Sequence, residues 1–249
     1  MQSKTTVVIS QPMYFPWIGL FEQIKQADVF VFLDHVQFAR GFINRVQYKT
    51  PQGSQWLTVP LVKHKRDTPI NELKMANDNW QEKHLALLAT NFKSSPHVKE
   101  ALGLMETVFE DRAQSFCDMI IKSIMVVRDY FELAPTTTFC RSSEIGRIEK
   151  KGQLIKELVQ FHGGSRYVTG LGALNYLDHE DFELNGIMVE YMDYQKLEYP
   201  QPFPPFTPFV SILDLIANVG KEGHSRIISG TCPWRDLLQP KLHSYDITG

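Results

Sequence analysis

Two short runs near the start of the chain constrain its fold more than any other feature. Thr6–Ser10 reads TVVIS and Asp28–Asp34 reads DVFVFLD. Such continuous runs of β-branched and aromatic residues suit strands covered on both faces. Between them, GLFEQIKQA places Leu20, Phe21, Ile24 and Ala27 at helical spacing. Strand, turn, helix and strand within about thirty residues make a βαβ unit, so the two strands are expected to be parallel.

The remaining chain extends this α/β pattern. Trp56–Pro60 predicts a third strand, introduced by the turn Thr50–Gly53 and stopped at Pro60, which has no N–H to donate to a ladder. Three- and four-residue apolar spacing over Trp80–Phe92, Pro96–Val108 and Ser115–Phe131 predicts a helical insertion covering about 79–131. Pro135–Phe139, Arg166–Thr169 and Ile187–Tyr191 read as further strands. Gly152–Phe161 reads as a helix closed by Gly163-Gly164, and Ala173–Leu177 as the first turns of another. The proline-rich run Pro200–Pro208 predicts an extended segment. Ser211–Asn218 follows as a helix with Ser211 at its N-cap, Asp214 three residues on and Gly220 as its stop. Together these predict one domain over 1–235 and a C-terminal tail over 236–249.

Composition narrows the function classes. With 249 residues, 43% of them apolar, the chain can bury a large core. A formal net charge of −2 gives no general footprint for nucleic acid or anionic membrane, and the longest basic run is Lys63-His-Lys-Arg66. The three cysteines, Cys117, Cys140 and Cys232, are far apart and odd in number, which argues for reduced thiols rather than a disulfide framework. Val7–Ser10 is too short for a leader's apolar region, and no window approaches the length of a membrane span. A cytoplasmic protein without membrane insertion is the expectation.

Candidate site residues gather where strands end. Gln11-Pro-Met-Tyr-Phe-Pro-Trp-Ile-Gly19 follows the first strand, and ligands of open parallel sheets bind beyond the strands' carboxyl ends. Gln11, Tyr14, Pro16, Trp17 and Gly19 are therefore candidate ligand contacts, with the aromatics offering flat faces; filling the core beneath the helices is the competing role for them. Asp34 ends the second strand and precedes Gln37, Asn44 and Arg45, of which Arg45 could hold a phosphate or carboxylate and Asn44 an amide or hydroxyl. An ion pair or cap is the structural alternative for Asp34 and Arg45. Gly170-Leu-Gly172 is a glycine-bearing turn without the dinucleotide fingerprint or the lysine of a P-loop. The histidines form no metal template and no serine or cysteine lies in a nucleophile signature, so neither metal nor cofactor is expected.

Gln11-Pro12, Tyr14–Trp17, Gly19, Ala27-Asp28, Val31–Asp34, Val36–Phe38, Asn44-Arg45 and Trp56–Pro60 closely resemble the WbqC-like family. So do Gly170, Tyr176-Leu177, Tyr199–Gln201, Phe206 and Ser211–Asp214 through Gly220. The resemblance implies a bacterial protein associated with O-antigen and other surface-polysaccharide biosynthesis. It implies a group-transfer enzyme that attaches an aminoacyl or acyl group, delivered for example as a carrier thioester, to an amine of a nucleotide-linked sugar. An acyl- or peptidyl-carrier protein is then the expected donor partner, with no nucleic acid involved. On this reading Asp34 is the candidate base and Asn44 and Arg45 orient the acceptor. Gln11, Tyr14, Pro16, Trp17, Gly19, Gln37, Gly170, Tyr176, Gln201, Ser211 and Asp214 contact substrate. The N-terminal unit is also distantly similar to nucleotidylyltransferases, which implies phosphosugar nucleotidylyl transfer as an alternative and a non-catalytic activated-sugar binder as another. The turn Pro16–Gly19 carries none of the histidines that such transfer uses.

Overall fold

The computed structural model describes residues 4–111, 114–145 and 153–238. Among them are eight strands: β1 (Thr6–Ser10), β2 (Val29–Phe32), β3 (Arg45–Thr50), β4 (Gly53–Thr58), β5 (Thr138–Arg141), β6 (Arg166–Thr169), β7 (Met188–Asp193) and β8 (Gly230–Pro233). The helices are α1 (Ile18–Gln26), α2 (Trp80–Asn91), α3 (Val98–Phe109), α4 (Phe116–Tyr130), α5 (Leu154–Phe161), α6 (His179–Leu184), α7 (Ile212–Val219) and α8 (Trp234–Leu238).

Six strands form one sheet in the order β5-β2-β1-β6-β7-β8. All its pairs are parallel except β7 with β8, which places an antiparallel strand at one edge. The register Val7 with Val29 through Ser10 with Phe32 realises the βαβ unit expected from the first thirty residues.

Side chains alternate across this sheet with the period of a strand. Val8, Phe30, Phe32, Val168 and Met192 face one core, which they share with α1, α2, α3, α4 and α7. Val7, Ile9, Val31, Tyr167, Val189 and Tyr191 face the other, closed by α5, Phe182 of α6 and Trp234. Helices therefore cover both faces, which is why the central strands β1 and β2 are near-continuous apolar runs rather than alternating with polar residues.

The structure departs from the sequence reading at three places. The strand expected at Trp56–Pro60 is the second half of an antiparallel hairpin, β3 with β4, outside the main sheet. Ala173–Leu177 does not start an α-helix; Leu171–Ala173 is a single 3₁₀ turn. Trp234–Leu238 is helical, so the tail expected from 236 begins inside an element; residues 239–249 lie outside the described residues. The glycine stop after α5 has the anticipated chemistry: Gly163 sits at φ +63°, and the Gly164 N–H donates to the Val159 carbonyl, a left-handed helix end that glycine adopts without strain.

Candidate functional site

The chain runs from β1 to β2 and on to β5 in one direction, then returns to the other side of β1 for β6 and β7. This reversal separates the loops that follow β1 and β6, and such a switch point leaves a crevice beyond the strands' carboxyl ends. A cavity of about 410 Å³ lies there, walled by Ser10, Gln11, Gln23, Thr169, Gly170 and Tyr176 among others. The Gln11 side chain makes no hydrogen bond among the described residues. Gln23 of α1 donates to the Tyr194 hydroxyl at 2.6 Å, which holds its amide against the β6 loop. Tyr176 is 62% exposed and presents a free ring edge at the rim. No carboxylate, lysine or arginine lines the cavity. Its chemistry is that of amide, hydroxyl and aromatic groups, suited to a neutral sugar or base.

The turn after β1 divides its residues between this cleft and the core. Tyr14 and Phe15 are fully buried, and the Tyr14 hydroxyl pairs with His84 Nδ1 at 3.0 Å. Tyr14 is thus an interior residue rather than a stacking surface, because the helical block α2–α4 closes over it. Phe15 holds φ +38°, a left-handed conformation costly for a side chain with a Cβ. Its N–H donates to Ser123 Oγ at 3.0 Å and its carbonyl accepts from Ser211 Oγ at 2.9 Å, so two elements hold the strained backbone. Ser211 is also the N-cap, accepting from the Leu213 N–H. Pro16 is buried and its carbonyl accepts from the Ile212 N–H at 2.9 Å. Trp17 stays partly exposed with its ring on Tyr194 and Phe209, at 4.8 and 5.3 Å between centroids. Gly19 is required under that ring: a Cβ there would lie 2.3 Å from Trp17.

Asp34 lies in the interior beside the segment that follows β5. Its side chain is fully buried and accepts from Ser142 Oγ at 3.1 Å, the Ser143 N–H at 2.9 Å and Ser143 Oγ at 2.7 Å. Its oxygens therefore anchor the segment after β5, the structural role that competes with that of a base. Gln37, Asn44 and Arg45 come together instead around two adjoining cavities on the loops after β2. Asn44 donates to the Val59 carbonyl at 3.0 Å and Gln37 to the Arg66 carbonyl at 2.8 Å.

Gln201 and Asp214 form a third group with Lys49 and Tyr199. Gln201 Nε2 donates to Asp214 Oδ1 at 3.1 Å and to the Tyr199 hydroxyl at 3.0 Å. Asp214 is completely buried, its Oδ2 has no hydrogen-bond partner, and burial pushes its carboxyl up to about 6. The capping-box role expected of Asp214 is absent, since its carboxylate turns to Gln201 rather than back to the helix start.

Cys117 and Cys140 are not activated nucleophiles. Burial pushes Cys117 up to about 12 and Cys140 up to about 11, even with His162 Nε2 3.5 Å from the Cys140 sulfur. Among the described residues no group of three or more His, Cys, Asp or Glu is placed to hold a metal ion, and no helix is long and apolar enough to cross a membrane.

The profile of the WbqC-like protein family matches residues 11–226, which includes the β1 turn, both strand-end clusters and α7. The chain belongs to the WbqC-like protein family. It is also 30% identical over 220 residues to an uncharacterized protein of Mycobacterium tuberculosis (strain ATCC 25618 / H37Rv), Rv1507c, across 87% of this chain and 94% of that one. No solved structure matches it.

Within this WbqC-like fold, sequence reasoning missed Gln23 and Thr169 at the switch point and Lys49 in the interior. Gln23 lies four residues after Gly19, one turn on along the same face of α1, which is the available signal that it shares the cleft with the β1 turn. Lys49 gave no signal, since a lysine in a hairpin strand reads as solvated.

Proposed function

We propose that this WbqC-like chain is a group-transfer enzyme that joins an activated aminoacyl or acyl group, carried as a thioester, to an amine of a nucleotide-linked sugar or comparable acceptor. The observation that carries this reading is the switch-point cleft, a neutral cavity of about 410 Å³ at the carboxyl ends of β1 and β6. Gln11, Gln23 and Thr169 supply amide and hydroxyl contacts of the kind that orient a sugar, and Tyr176 supplies a face for a base or ring.

In the transfer the amine nitrogen bonds to the thioester carbonyl, the carbon–sulfur bond breaks, and the proton lost by the amine passes to the departing thiolate. A thioester arrives activated and its thiolate accepts the proton, so the protein's main task is to hold the two reactants in register. This fits a cleft without a strong base. Nucleotidylyl transfer is the weaker reading, because it develops charge on phosphates and the cleft has no cation to stabilise it.

The test is mass spectrometry after incubation with nucleotide-linked amino sugars and an aminoacyl- or acyl-loaded carrier. The expected product carries the acyl increment, and Gln11→Leu and Tyr176→Ala lower its yield with melting temperatures unchanged. Pyrophosphate release from a nucleoside triphosphate would replace this reading with nucleotidylyl transfer. Saturable sugar binding without any product from any donor would replace it with a binding protein.

A further inference from the structure

Several cations of this chain pair with a carboxylate: Arg128 with Asp129, Arg141 with Asp118, Arg166 with Glu190 and Lys156 with Asp181. Arg40, Arg45, Lys63 and Arg66 have none among the described residues. All four line the two adjoining cavities beyond β2, of about 630 and 280 Å³, which share Phe38, Arg40, Leu61 and His64 in their walls. No aspartate or glutamate lines either one. Arg40, Lys63 and Arg66 are exposed and Arg45 is half-exposed, so together they make a local positive surface that attracts anions on a chain of formal net charge −2.

Of the four cations Arg45 is held in place, and His64 beside it is held as well. The Arg45 Nε–H donates to the Gly41 carbonyl at 3.0 Å, and the guanidinium carbon lies 4.1 Å over the Trp56 ring. Both contacts fix the plane of the guanidinium and leave its two terminal amino groups free for a bidentate contact. His64 Nδ1 is 2.9 Å from the Lys65 carbonyl and its ring packs edge-on to Phe38 at 5.3 Å. The backbone that carries Lys63 and Arg66 is tied to the loop after β2 through the Gln37–Arg66 bond and the Phe38 N–H to Thr68 carbonyl bond. An anion entering the cleft therefore meets one held guanidinium, Arg45, and three exposed cations carried on a tied backbone.

We propose that this cleft is a binding site for a diphosphate group, with Arg45 gripping one phosphate bidentately and Arg40, Lys63 and Arg66 neutralising the rest. Four cations match the two to four negative charges that diphosphate esters and inorganic pyrophosphate carry. The cleft shares no lining residue with the switch-point cavity, so the site stands whether or not the chain transfers acyl groups.

Calorimetric titration of the whole chain with inorganic pyrophosphate and with uridine diphosphate tests this. Both are expected to bind saturably and more weakly as salt is raised. Arg45→Gln and the double variant R40Q/R66Q are each expected to weaken binding by about tenfold or more, the usual worth of a charge-assisted contact. Lys83→Gln, an exposed lysine of α2 outside the cleft, is expected to change nothing. Tighter binding of uridine diphosphate than of pyrophosphate assigns the site to a nucleotide, and equal binding assigns it to the diphosphate alone. The proposal is overturned if neither probe binds the unaltered chain, if R40Q/R66Q binds as tightly as the unaltered chain, or if K83Q loses as much as R40Q/R66Q.

Discussion

The Lys49 ammonium, on the hairpin strand β3, donates to the Gln201 side-chain oxygen at 2.8 Å. It also donates to the Pro205 carbonyl, so one buried lysine fastens the hairpin to the proline-rich segment. Gln201 links it to the buried carboxylate of Asp214; burial lowers the lysine's pKa and the charge of Asp214 raises it. Lys49→Met would leave Asp214 buried without the lysine's charge and the Gln201 oxygen with the Thr207 N–H as its remaining donor, and is expected to cost about 3 kcal/mol in urea unfolding. Because Lys49 and Asp214 act on one another, the double variant K49M/D214N should lose less than the sum of the two single losses. Strict additivity would show that the coupling is absent.

Asp214 also gives stability a pH dependence of unusual sign. Its carboxyl is pushed up from 3.8 to about 6 by burial, so between these values the folded chain binds a proton that the unfolded chain releases. Stability from this group is then fully present below pH 4 and is lost as pH rises through about 6, on the order of 3 kcal/mol in all. The paired carboxylates Glu100, Asp118 and Glu190 are held below their ordinary range and act in the opposite direction. The difference between the unaltered chain and Asp214→Asn isolates the effect. In unfolding measured from pH 4 to pH 7, D214N should gain on the unaltered chain as pH rises; a flat difference would remove Asp214 as the source.

Gly19, buried at the start of α1, leaves the space that the Trp17 ring fills. Gly19→Ala drives a methyl into the Trp17 ring, which must leave its place on Tyr194 and Phe209. The expected cost is about 1–3 kcal/mol, as for overpacking elsewhere, with a shift in tryptophan emission as Trp17 moves. An unshifted spectrum would show that the ring accommodates the methyl without moving.

The βαβ unit was legible because burial on both faces leaves an unmistakable apolar run: the expected strand Thr6–Ser10 coincides with β1, and Arg166–Thr169 with β6. The three helices between 80 and 130 were legible for the same reason, each having one face to bury. Strand β3 was overlooked although Arg45, Gln47 and Lys49 alternate with Val46, Tyr48 and Thr50 as in a half-buried strand; what the alternation hides is that Lys49 is buried, by its contacts with Gln201 and Pro205. The site was half legible. A strand's end can be read from periodicity, but whether its side chain turns outward as at Gln11 or inward as at Tyr14 depends on helices distant in sequence. Gln23 escaped because nothing local distinguishes an amide facing a cleft from one facing water.

Asp34 shows what that difference means for a functional assignment. Its position at the end of β2 is that of a catalytic carboxylate, yet its oxygens accept from two serine hydroxyls and a backbone N–H. An ionised carboxylate only accepts hydrogen bonds, and every group facing it donates. Asp34→Asn replaces one oxygen by an NH₂ that must point at one of these donors, leaving buried groups unpaired at an expected cost of about 1–3 kcal/mol. A general base would instead lose turnover with stability retained. The expected outcome is a lower urea midpoint for D34N, with acyl transfer per folded molecule and uridine diphosphate affinity unchanged. Wild-type stability together with abolished transfer would return Asp34 to the chemistry and require the segment after β5 to open during the reaction.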